Sequence, residues 1–270
     1  MRVLNDREVK QQLVAMLKDT TDFLKENNIK YSIMSGTMLG AVRHKGFIPW
    51  DDDIDIAILR EDYNRLVQIL KNPNIERKPD AVGFELGNHV IPFIKIINPE
   101  IDVEESLMGG TQKLWIDIFP FDGANNNEKK MKFNNLLIQK VFRRIYLFSN
   151  DKCFTLHPKD CNCKIWNYIL YGISKLGSSD VITRSYINIC SKVRTQDAVF
   201  VEDYTWGTKP IPKKLFDEVC DYQFENIKVN GFKDYDTYLK CVYGDYMKLP
   251  PEEKRVNHGI KAWRTGKDEK

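Results

Sequence analysis

The chain has 270 residues, 42% hydrophobic and 29% charged, with a formal net charge of +3. That size and balance suit a globular protein of one large or two small domains, and so small a charge gives no reason to expect nucleic acid as a partner. No apolar run approaches the roughly 18–20 residues of a membrane span, Met1 leads at once into Asp6, Arg7 and Glu8 rather than an apolar leader, and six cysteines in so long a chain read as thiols, so the expectation is a cytoplasmic protein.

Residues 6–27 place Val9, Leu13, Met16, Leu17, Phe23 and Leu24 at helical spacing, with Asn5 and Glu8 at capping-box spacing before them. A strand over 29–34, a turn at Gly36, a short helix over 37–43, a loop over 44–52 and an acidic strand over 53–58 follow. A second amphipathic helix spans 60–71 and ends at Asn72-Pro73. Runs rich in Val, Ile and Phe predict strands at 82–87, 90–97 and 113–119. The polar stretch 122–127 marks a boundary, and Asp122, next to Gly123, suits a turn. Beyond it, helices are predicted over 128–148, 164–176, 180–194, 213–220 and 234–243, with a strand over 222–229. The expected class is α+β: a mixed sheet with flanking helices in residues 1–124, and a mainly helical region, 125–270, packed on it and completing the site.

The acidic segment carries the chemistry. Asp51, Asp52, Asp53 and Asp55 put four carboxylates within five residues, and the last two alternate with Ile54, Ile56 and Ile58. On a strand, Asp53 and Asp55 share one face and the isoleucines the other. Two carboxylates so close repel unless a cation lies between them, and Mg²⁺ takes carboxylate oxygens together with substrate phosphates. Upstream, Ser35-Gly36-Thr37 opens a helix, where small residues let backbone N–H groups approach a phosphate. Asp117, in Leu114-Trp115-Ile116-Asp117-Ile118-Phe119, points away from the face shared by Leu114, Ile116 and Ile118. A charge in so apolar a strand needs a partner or a cation.

The run Arg43-His44-Lys45-Gly46-Phe47-Ile48-Pro49-Trp50-Asp51-Asp52-Asp53-Ile54-Asp55 resembles the signature of the LicD family. Further similarity lies in Arg60-Glu61-Asp62-Tyr63, in Trp115 to Asp122 and in Tyr243 to Pro251. The resemblance implies a nucleotidyltransferase-like fold and transfer of phosphocholine from CDP-choline to a sugar hydroxyl. The acceptor would be a lipid-linked precursor of a teichoic acid, lipopolysaccharide or capsule. It implies Mg²⁺ (or Mn²⁺) held by Asp53, Asp55 and Asp117, the last completing the metal site or serving as general base. Ser35, Gly36, Thr37, Arg43 and Lys45 would meet the donor phosphates, and His44 could aid proton transfer. Trp50, Trp115, Tyr204 and Trp206 are candidates for an aromatic cage around a quaternary ammonium, and Arg255 and His258 could reach a phosphate.

Alternatives remain open at this stage. The payload could be phosphoethanolamine, glycerol phosphate or ribitol phosphate, or the enzyme could transfer the nucleotidyl group itself. A sugar-nucleotide glycosyltransferase and a non-catalytic binding module fit the order of motifs less well. Cys153, His157, Cys161 and Cys163 form a cluster in sequence that could hold structural Zn²⁺, against the tightness of the Cys161-x-Cys163 spacing. Basic residues between Lys129 and Arg144 suggest at most a peripheral contact with an anionic membrane.

Overall fold

The computed structural model describes residues 2–104, 110–151, 153–154, 156–158, 161–205, 207–255, 257 and 259–265. One sheet organises the chain. Its principal path runs β1 (Val3–Leu4), β11 (Lys261–Arg264), β5 (Ile94–Glu104), β6 (Thr111–Gly123), β3 (Asp55–Leu59), β2 (Ser32–Ile33), β10 (Ile227–Phe232) and β9 (Val219–Phe224). Off that path, β4 (Ala81–Val82) pairs with β5, and β7 (Phe200–Glu202) joins β6 to β8 (Ile211–Pro212). The β3–β6 and β10–β2 pairs are parallel and the other pairs are antiparallel. This is the mixed sheet of the expected α+β class, and residues beyond 124 supply strands to it as well as helices.

The helices that position the site are local in origin. α1 (Asp6–Glu26) begins with the predicted capping box, Asn5 accepting from the Glu8 N–H at 3.0 Å and Glu8 from the Asn5 N–H at 3.0 Å. Its stripe of Val9, Leu13, Leu17 and Leu24 is buried against the sheet. α2 (Ser35–His44) follows β2 directly, and α3 (Arg60–Lys71) follows β3, burying Tyr63, Leu66, Val67 and Leu70. Central β3 starts at Asp55 rather than at 53 as expected, and with both faces covered its Ile56, Ala57 and Ile58 are fully buried.

Asp122 departs from its expected role as a turn residue. It lies in β6, fully buried, and receives both Nε (2.7 Å) and Nη2 (2.8 Å) of Arg60. The two-pronged pairing compensates two buried charges that would otherwise be costly.

Several predicted elements change form. The strand expected over 82–87 stops at Val82, because the Asn88 side chain bonds the Gly83 N–H and the Ala81 carbonyl and folds the chain into a 3-10 turn over Phe84–Leu86. The helix expected over 213–220 shrinks to a 3-10 turn at Lys213–Phe216. The strand expected over 222–229 is a hairpin, turning at Glu225, whose φ is +52°. The long helix over 128–148 is α4 (Glu128–Leu137) and α5 (Arg143–Ser149), joined by a π-helical turn at Ile138–Phe142. α6 (Lys164–Ser174) and α7 (Ser179–Cys190) pack beside α5, where Tyr146 stacks on Tyr186 at 5.1 Å in a small second core. α8 (Tyr235–Tyr243) packs on α2 and β10.

Candidate active site

The acids meet where β3 and β6 lie side by side. Asp55 opens β3 and is directly opposite Asp117 of β6, which in turn is opposite Lys95 of β5. Three charged residues thus form a row across three neighbouring strands. The Asp117 N–H donates to the Ile54 carbonyl at 3.0 Å, and the Asp55 N–H to Thr37 Oγ1 at 2.9 Å, so both carboxylates stand on a tied backbone. Lys95 Nζ lies 3.3 Å from Asp117 Oδ1, and Trp115 Nε1 donates to Asp117 Oδ2 at 3.1 Å. Burial raises the Asp55 carboxyl well above the usual carboxylate range, and the charges of Asp53, Asp117, Asp51 and Asp203 push it further the same way.

The opening turn of α2 is shaped by contacts from far along the chain. Ser35 sits at φ +48°, and its N–H donates to the Tyr238 hydroxyl of α8 at 2.8 Å. Such a left-handed backbone at a non-glycine residue persists only where its surroundings hold it. Asp51 reaches over Gly36, where a Cβ would lie 2.2 Å from Asp51 Oδ2. A carboxylate thus occupies the end of the helix where backbone N–H groups favour negative charge. Thr37 is only 2% exposed, and its hydroxyl accepts from the β3 backbone and so positions Asp55.

The basic segment closes α2. Arg43 donates from Nη1 to the Tyr246 carbonyl at 3.0 Å and from Nε to His44 Nε2 at 3.0 Å. Desolvation and then Arg43 hold His44 below its usual value. Lys45 is exposed and left-handed at φ +62°, and its carbonyl accepts from the Glu225 N–H at 2.7 Å. The Glu225 carboxylate also takes the Phe47 N–H at 3.0 Å, so the β9–β10 hairpin clamps this loop.

Among the described residues, Tyr204 lies in a different core from Trp50 and Trp115. Trp115 is 7% exposed, and one face carries the Lys95 ammonium 3.8 Å from the ring centre. Trp50 is half-buried beneath the Arg255 guanidinium, 5.3 Å from its ring centre. Tyr204 is buried in the second core, its carbonyl accepting from Tyr186 at 2.8 Å and Gln139 at 3.0 Å. Trp206 and His258 lie outside the described residues. Arg255 donates from Nε to the Pro250 carbonyl at 2.9 Å, so it joins the tail to Trp50.

Four residues of the site escaped the sequence reading. Lys95 interrupts Ile94-Lys95-Ile96-Ile97 as Asp117 interrupts its own strand, and that isolated charge was the available signal. Asp203, fully buried, accepts from the Thr205 N–H at 2.8 Å and hydroxyl at 2.5 Å while adding to the field on Asp55. Tyr243 remains 44% exposed, yet its hydroxyl is pushed up by desolvation, then by Tyr238, Asp55, Asp51 and Asp53. Tyr238 holds Ser35 and is fully enclosed. Nothing local marked Tyr238, whereas Tyr243 opens the run to Pro251 that carries part of the family resemblance and had no role assigned to it.

As for metals, the acid cluster offers hard oxygen donors and a surplus of negative charge, the chemistry Mg²⁺ prefers. Among the described residues no three Asp, Glu, His or Cys side chains gather at the spacing of a single ion. Mg²⁺ is commonly held by one or two carboxylates and completed by phosphate oxygens and water, and Asp53 and Asp55 are two carboxylates at the head of β3. Cys153, His157, Cys161 and Cys163 do not gather at that spacing either, and all six cysteines are free thiols.

Comparison with known proteins identifies the family. The family described as LicD/FKTN/FKRP, nucleotidyltransferase domain, matches residues 28–158, which include Asp53, Asp55, Lys95 and Asp117. The chain is 32% identical over 274 residues to the lipopolysaccharide cholinephosphotransferase LicD of Haemophilus influenzae, covering 96% of this chain and 98% of that protein. An uncharacterised Rickettsia typhi protein is 50% identical over 155 residues, 52% of this chain and 48% of its own. The human ribitol 5-phosphate transferase FKRP is 39% identical over 46 residues, 17% of this chain and 9% of its own. With full-length similarity to one relative and a matching domain around the acid row, the chain belongs to the LicD family.

Proposed function

We propose that the protein transfers phosphocholine from CDP-choline to a sugar hydroxyl of a lipid-linked glycan precursor, acting at the cytoplasmic side of a membrane. The observation that carries this reading is the acid row: Asp55 opposite Asp117, with Asp53 two residues ahead and the N-terminus of α2 alongside. The full-length relative is itself a cholinephosphotransferase of lipopolysaccharide.

Phosphoryl transfer demands positioning and charge neutralisation more than covalent help. Asp53 and Asp55 would hold Mg²⁺, with Asp117 beside them. When bound, the ion neutralises charge on the donor diphosphate and the departing CMP. Lys95 lies 3.3 Å from Asp117 and Trp115 donates to it, so the two fix where its carboxyl points. Thr37 holds the Asp55 backbone, and Tyr238 holds Ser35 in its strained form. Arg43 and Lys45 stand at the far end of α2, where they would neutralise further donor phosphate.

A second payload is favoured by one specific observation. The rings of Trp50 and Trp115 already carry cations of this chain, Arg255 and Lys95. A donor without a quaternary ammonium, such as CDP-ribitol or CDP-glycerol, needs no free aromatic face. Purified protein given a panel of CDP-alcohols, an aminosugar acceptor and Mg²⁺ separates the readings by product mass. Phosphocholine product with release of CMP is the expected result. Product from a different CDP-alcohol alone changes the payload, and release of pyrophosphate or absence of any transfer overturns the reading.

A further inference from the structure

α6 is built inside out. Its inward positions are Asn167, Leu170 and Ser174, each no more than 1% exposed. Asn167 donates to the carbonyls of Asn162 (2.6 Å) and Cys163 (3.2 Å) and accepts from Arg144 of α5. Its outward positions are apolar: Ile165 is 81% exposed, Trp166 48%, Tyr168 50%, Ile169 50% and Ile173 43%, with Leu176 at 86% just beyond the helix. Ile165, Ile169, Ile173 and Leu176 follow helical spacing along one face. A helix on a water-facing surface shows the reverse arrangement, and a contiguous apolar face of this kind marks an interaction surface.

The charges nearby select its occupant. α4 runs through the π-helical turn into α5, which packs on α6. Along that helix Lys129, Phe133, Leu136 and Lys140 fall at i, i+4, i+7 and i+11, one exposed stripe with cations at both ends. Lys130 and Lys132 are exposed beside it. Branched aliphatic chains, amphipathic Trp and Tyr rings and flanking lysines together match a bilayer surface bearing anionic headgroups. A second copy of the chain, packed face to face about a two-fold axis, would bring like-charged stripes toward each other. The helix has 11 residues, about 16 Å long, and no helix among the described residues is long and apolar enough to cross a membrane. Lying in the surface is the geometry left to it.

We propose that α6 docks flat on an anionic lipid surface, its Ile165–Ile173 face in the headgroup–acyl boundary and the lysines of α4 against lipid phosphates. This is an apolar anchor with a basic flank, stronger than charge attraction alone. It requires no donor or acceptor, so its failure leaves the transfer chemistry untouched.

The test is co-sedimentation of the full chain with phosphatidylcholine vesicles, with and without phosphatidylglycerol, across a salt series. Wild type should bind anionic vesicles and keep part of that binding once salt has screened the lysines. The exposed double variant Ile165→Ser/Ile169→Ser should lower the bound fraction at least about ten-fold, with an unchanged circular dichroism spectrum. Lys129→Gln/Lys140→Gln should remove the preference for anionic vesicles but not all binding. Vesicles should shift wild-type tryptophan emission to the blue, and Trp166→Phe should lose that shift. Wild-type binding by the double serine variant, or no binding of wild type to either vesicle, overturns the proposal. So does a dimer that the serine variant dissociates without change in vesicle binding, because a second copy would then be the occupant.

Discussion

Asp55 and Asp117 are direct partners across the parallel β3–β6 pair, two carboxylates side by side at the start of β3 and midway along β6. Like charges opposite each other destabilise a sheet, and here Asp53, Asp51 and Asp203 add to the same field. The arrangement costs folding energy, part of which Lys95 offsets beside Asp117.

Asp55→Asn removes one member of the repelling group without opening a cavity. The variant should melt at or above the wild-type temperature in the absence of metal. Its turnover should fall on the order of 10³-fold or more, since charge stabilisation by a bound cation supplies several kcal/mol. Calorimetry and a product assay on the same sample check both halves. Wild-type-like turnover would remove Asp55 from the metal site.

Lys95 compensates Asp117 from the opposite neighbour strand, at 3.3 Å and 5% exposed. Lys95→Met should destabilise the fold by about 3 kcal/mol, because a buried carboxylate loses its counter-charge. Lys95→Met/Asp117→Asn should recover most of that stability and none of the activity. Urea unfolding of the four proteins of this cycle measures the coupling.

Gly36→Ala tests the approach of Asp51 to α2. The new Cβ would fall 2.2 Å from Asp51 Oδ2, and the carboxylate has to move. Catalytic efficiency should drop at least about ten-fold, with most of the change in the donor KM if the helix end receives donor phosphate. Loss of stability with unchanged KM would mean that Gly36 serves packing alone.

Glu202 of β7 gives a pH signature away from the acid row. Burial first, then Asp203, pushes its carboxyl up to about 9, and Asn135 donates to it. The folded state therefore holds a proton that the unfolded chain releases near pH 4–5. Stability contributed by this group is complete below that range and falls as pH rises toward about 9. Glu202→Gln should flatten the decline between pH 6 and 9, read as unfolding midpoints in urea. An unchanged slope would show that Glu202 is ionised in the folded protein.

The acid motif, the capping box of α1 and the helical faces of α1 and α3 were legible in the chain itself, because each depends on neighbours within a few residues. The hairpin at Glu225 was not, since it contains none of the Gly or Pro signals that usually mark a turn. Asp122 read as a turn residue because Gly123 follows it, whereas Arg60, 62 positions away, makes it a buried ion-pair partner.

Sequence alone determined that Asp53 and Asp55 stand two residues apart before an isoleucine strand, and that Asp117 interrupts another. Alternation along a strand is a local property and needs no fold to be read. Tertiary structure decided that Lys95 faces Asp117, that Asp51 covers Gly36, and that Tyr238, 203 positions from Ser35, holds the turn of α2. Strand register and loop approach are set by which distant apolar faces bury together, and no stretch of neighbouring residues contains that information.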